Sequence, residues 1–139
     1  MSARTKARKR AIDAIFAADL RPDSPLDLLD DTYKQVQDRQ NQTEIFEYAR
    51  TLVSGVIEHQ REIDGLLETY SQGWSLDRMP NLDRAILRVA TWEIRFNDEV
   101  PDAVAISEAV ALAKEYSTDD SSSFVNGLLS RISGTAKAI

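Results

Sequence analysis

An all-helical fold is predicted from three features of the 139-residue sequence. Apolar residues recur at three- and four-residue spacing along nearly the whole chain, where a half-buried strand would alternate with a period of two. Five glycines and four prolines are too few for the many tight turns of a β-sandwich or barrel. Short polar breaks carrying prolines and capping residues separate the apolar stretches, which is how packed helices are punctuated. With 42% hydrophobic and 29% charged residues, the chain can bury a sizeable core beneath a charged surface. The length fits one domain, read here as an N-terminal half over 1–73 bearing a basic arm and a C-terminal half over 74–139.

The first helix spans Ala3–Leu20, with Ile12, Ile15, Phe16 and Leu20 in one arc at 100° per residue. Its cations precede that stripe, so the arm is expected to be helical and solvated. Pro22 and Pro25 end one helix and open the next, with Asp23 or Ser24 as cap. Leu26, Leu29, Tyr33 and Val36 then mark a helix over about 26–37, and the polar run at 38–42 reads as a loop. Thr43 is expected to cap a long periodic stretch. The polar run His59–Glu62 divides it into helices at about 44–58 and 61–72, and Gly73 supplies the stop. Asn81–Phe96 carries apolar residues on more than one face, because Leu87 and Ile94 lie off its main stripe, so this helix is expected to be central. Pro101 opens a helix over about 102–116. The run 117–123 reads as a seven-residue polar loop, and Phe124, Val125, Leu128, Leu129 and Ile132 form the stripe of a last helix.

Composition excludes several kinds of chemistry. No cysteine is present, which removes disulfides, thiolate metal sites and cysteine nucleophiles, and the single His59 removes most metal-site and triad designs. The adjacent pairs Asp30/Asp31 and Asp119/Asp120 diverge on a helix or face water in a loop, which does not make an acid–base dyad. No glycine-rich phosphate cradle occurs, and no cofactor is implied. No apolar run is long enough to span a membrane and no secretory core follows the basic start, so the expected compartment is the cytoplasm. The net charge of −6 hides an asymmetry: residues 1–10 carry +5 and the remainder −11. A concentrated basic end on an acidic body suits a nucleic-acid-binding arm, or an arm folded onto the protein's own acidic surface. Arg4, Lys6 and Arg8 can neutralise phosphates and Phe16 can stack an unpaired base, a combination better suited to single-stranded RNA than to duplex DNA. Phe16 also fits the apolar arc as a core residue.

Three stretches, ARTKARKRAIDAIFAADL, LDRAILRVATWEI and VPDAVAISEAVALAKEYSTDDSSSFVNGLL, resemble the NusB family of bacterial transcription antitermination factors. The resemblance runs from about residue 3 to residue 132. It implies seven helices packed as two small bundles and a non-enzymatic role. It further implies binding of boxA-type RNA together with NusE, a ribosomal small-subunit protein, in an antitermination complex on RNA polymerase that supports ribosomal RNA synthesis. It places RNA contacts at Arg4, Lys6, Arg8 and Phe16, where the family usually has tyrosine, and at Asp120, Ser121 and Phe124. It places a partner-binding acid at Asp83. One rival is a helical protein-interaction module without RNA binding, possible as a homodimer through apolar residues such as Leu87 and Ile94. Another, a NusB-like domain preceding a ribosomal RNA methyltransferase, would need a catalytic half that these 139 residues do not supply.

Overall fold

Seven helices and one 3₁₀ turn account for the structure, a computed structural model that describes residues 1–135; no strand occurs among the described residues. Helix α1 (Ala3–Leu20) starts where the Ser2 hydroxyl accepts the Thr5 amide at 3.0 Å. It packs on α2, α3 and α5, and this three-sided burial explains its broad small-residue face of Ala7, Ala11 and Ala14 beside Ile12 and Ile15. Ser24 caps α2 (Pro25–Val36), whose first residue is the proline that tolerates that position. Helix α3 (Gln42–Glu58) begins two residues earlier than expected. Its cap is Asn41 in the left-handed region at φ 66°, and the Thr43 hydroxyl lies 3.1 Å from that of Tyr33. At His59, with φ −113° and ψ 20°, the helical pattern breaks, and α4 (Gln60–Tyr70) follows with Ile63 and Leu67 buried.

After the turn at Leu76–Arg78, α5 (Asn81–Phe96) runs through the middle of the molecule, touching every other helix except α2 in substantial packing. Leu87 and Ile94 are fully inside, so the apolar residues expected to permit a dimer face belong to the core. Against α3 the fit is tight: a Cβ at Gly55 would land inside the Trp92 indole, so only glycine lets the two helices meet there. Two arginines of α5 tie neighbours to it. Arg88 grips Asp64 of α4 at 2.9 and 3.0 Å, and Arg84 reaches Asp19 of α1 at 3.1 Å.

Helices α6 (Asp102–Tyr116) and α7 (Asp119–Ser133) pair tightly. The expected seven-residue loop between them shrinks to Ser117 and Thr118. The Thr118 hydroxyl accepts the Ser121 amide at 3.0 Å, and Asp119 and Asp120 fall in the first helical turn, where carboxylates complement the helix dipole. One cluster of buried apolar side chains draws on all seven helices.

Candidate nucleic-acid and partner interface

The arm is the first turns of α1, and its five cations have very different surroundings. Residues four apart share a helix face, so Arg4 and Arg8 both turn toward α3 and α5. Arg8 is only 4% exposed. Its Nε and Nη2 donate to the two oxygens of Glu93 at 2.8 and 3.0 Å, and its Nη1 donates to Glu108 at 3.0 Å. The Thr5 hydroxyl also donates to Glu108, at 2.6 Å. Burial works to lower the Arg8 pKa; hydrogen bonding to Glu93 and the charges of Glu93 and Glu108 outweigh it and raise the pKa.

The expected solvated arm is therefore corrected at Arg8, which is consumed by an internal ion pair because a guanidinium facing the core needs carboxylates beside it. Lys9 pairs with Asp13 at 2.6 Å and lies 4.4 Å over the Tyr116 ring, and Arg10 lies 5.4 Å over Phe46. Lys6 is exposed. Arg4 is exposed too, with its guanidinium carbon 3.7 Å above the Tyr48 ring centre. Phe16 is half-buried and packs against the core.

Tyr48 links both arginines to α5. Its hydroxyl donates to Glu93 and accepts from the Asn97 side chain at 3.1 Å. Burial, then the hydrogen bond and charge of Glu93, push its pKa up to about 12.

A second feature lies where α5 and α7 begin. A cavity of about 200 Å³ is lined by Trp74, Met79, Pro80, Phe124 and the acid-bearing Asp83 and Asp120. Four of the residues singled out from the sequence, Asp83, Asp120, Ser121 and Phe124, thus converge on one place. Asp83, which the resemblance makes a partner-binding acid, lies inside the protein. It is 2% exposed, and its two oxygens accept the hydroxyls of Ser117 at 2.9 Å and Ser121 at 2.7 Å, so it braces the α6–α7 turn from below. Asp120 is exposed at the rim. Trp74, at 53% exposure and with its ring 6.1 Å from that of Phe124, is a site residue that the sequence reading misses. Its signal is an aromatic on a connector with no apolar stripe to absorb it. The same reading passes over Tyr116 as a surface residue; it is 40% exposed, with Lys9 4.4 Å over its ring.

These two features can hold a polyanion by a few cations and unpaired bases by aromatic faces. Among the described residues, no cluster of three or more histidine, cysteine or acidic side chains could hold a metal. His59 stacks on Phe96 at 3.9 Å instead. No helix among the described residues is long and apolar enough to cross a membrane.

Residues 5–134 match the model of the NusB family. The chain is 54% identical to the transcription antitermination protein NusB of Arthrobacter sp. (strain FB24), over 95% of this chain and 93% of that one. It is 55% identical to the NusB protein of Leifsonia xyli subsp. xyli (strain CTCB07), over 95% and 92%. Among solved structures, T. maritima NusB superposes with a TM-score of 0.86 at 33% identity, covering 97% of this chain and 93% of that one. A chain from the crystal structure of antitermination factors NusB and NusE in complex with double-stranded RNA superposes at 0.84 and 29% identity, covering 96% and 97%.

Proposed function

The chain belongs to the NusB family, and from that premise we propose that it is a transcription antitermination factor binding boxA-type single-stranded RNA together with NusE, the ribosomal small-subunit protein, on transcribing RNA polymerase in the cytoplasm. Its work is binding, not catalysis. The observation that carries the reading is the pair of exposed cations, Arg4 and Lys6, at the free end of an otherwise acidic molecule. They supply the electrostatic contact, and Phe124 with the exposed start of α7 supplies a surface for bases and partner. The relative crystallised with NusE and double-stranded RNA supports the choice of partners. A single strand suits this chain better, since an A-form duplex hides its base edges in a deep, narrow groove that side chains cannot read. Asp83 and Arg8 contribute by shaping these surfaces from inside.

Replacing Arg4 and Lys6 together with alanine tests the reading. Affinity for a boxA-type RNA should fall. The slope of log K against log salt should become shallower by about 0.7 to 1.4, the single-strand value for one phosphate at Lys6 or for two if Arg4 meets one as well. Thermal stability should stay within a degree or two, because both side chains are exposed. NusE pull-down with and without that RNA tests the partner half. Unchanged RNA affinity in the double variant would instead leave a helical protein-interaction module.

A further inference from the structure

Arg4 does not reach into solvent as a free phosphate-seeking cation would. Its guanidinium carbon sits 3.7 Å over the centre of the Tyr48 ring, the spacing of stacked planes. That ring is itself fixed by Glu93 and Asn97 through its hydroxyl. The stack forms one wall of an open cleft of about 460 Å³ between the start of α1, the start of α3 and the end of α5. Exposed Glu44, Glu47 and Glu99 line the same cleft. Three carboxylates repel a phosphate, whereas a neutral base can enter and donate to them from its exocyclic amino group. A guanidinium covered on one side by tyrosine still offers its other side to a π-face, as arginine planes do for unstacked RNA bases.

We infer that the Arg4–Tyr48 stack is a platform for one unpaired, amino-bearing nucleobase, with Tyr48 as the positioning residue and the cleft beside it as the base's seat. The inference rests on the reading that the chain binds RNA. It adds a base contact at the arm's outer end, continuous with the phosphate contact of Lys6.

The experiment crosses protein variants with a boxA-type RNA carrying a single abasic site, moved along the strand one position at a time. Arg4→Lys keeps the positive charge and loses the planar group. It should preserve the salt slope yet weaken binding about tenfold, within the range typical of base stacking. At one position the abasic site should cost the wild-type chain a similar factor and cost Arg4→Lys almost nothing further. Tyr48→Leu should behave like Arg4→Lys, and Tyr48→Phe should bind like wild type because the ring remains. Arg4 is exposed, so Arg4→Lys decides the matter even if Tyr48→Leu does not fold. Arg4→Lys binding as tightly as wild type, or abasic penalties that simply add to it at every position, would overturn the platform and leave Arg4 as a phosphate contact. Wild-type chain showing no salt-dependent RNA binding at all would overturn the parent reading and the platform with it.

Discussion

Arg4 and Arg8 stand one helical turn apart in the same basic run, yet one is exposed and the other buried. Charge alone does not separate them, because both read as members of a +5 segment. Spacing does: Arg8, Ile12 and Ile15 follow at four and three residues, which puts Arg8 at the head of the buried stripe. The matching clue is Glu93, an acid inside the apolar pattern of α5, which needs a partner of opposite sign. Removing Arg8 strands that carboxylate, itself 1% exposed. Arg8→Ala is therefore expected to lose about 3–5 kcal/mol of stability, the usual consequence of breaking a buried ion pair from one side. Urea unfolding measures it, and a loss below about 1 kcal/mol would mean that the pair is dispensable. The triple replacement of Arg4, Lys6 and Arg8 would thus confuse binding with folding, while the pair Arg4 and Lys6 does not.

At the level of helices, α5 and α6 are legible to the residue, each opening directly after a proline, Pro80 or Pro101. The start of α7 is not, because its first turn is made of aspartate and serine, residues that favour loops and helix starts alike. Thr118 decides between them by capping the helix, and Ser121 then faces inward onto Asp83. That inward turn also explains why the burial of Asp83 is not legible: its partners come from a segment that reads as solvent-exposed. Gly55 is equally silent in the sequence, since its reason lies on another helix. In isolation Gly55→Ala would favour α3 by about 1 kcal/mol. Here the added methyl group collides with Trp92, and overpacking of this kind costs about 1–3 kcal/mol or more. Chemical denaturation of Gly55→Ala should show a net loss; a gain in stability would mean that α5 can yield at this crossing.

Across the whole molecule, one polar network joins four helices through Thr5 and Arg8 of α1, Tyr48 of α3, Glu93 of α5 and Glu108 of α6. Its tyrosine gives global stability a signature in alkali. The Tyr48 pKa is raised from an ordinary 10.0 to about 12. Below the unfolded value the phenol is protonated in both states and its contribution is complete. As pH climbs from about 10 to about 12 the unfolded chain ionises first, binds fewer protons than the folded chain, and that contribution is lost. Two pKa steps correspond to at most about 2.7 kcal/mol, reduced by the ring's partial exposure. The stability advantage of wild type over Tyr48→Phe, measured by urea unfolding near pH 8 and above about pH 11, should shrink at the higher pH; a constant gap would detach Tyr48 from the network. The two tryptophans carry a different consequence. Trp92 is wedged against Gly55 at 9% exposure, while Trp74 stands 53% exposed beside Phe124. The chain therefore contains two indole fluorophores in opposite environments: one shielded from aqueous quenchers, whose emission reddens only when the core opens, and one bathed in water, whose emission follows what settles on the mouth of the cavity.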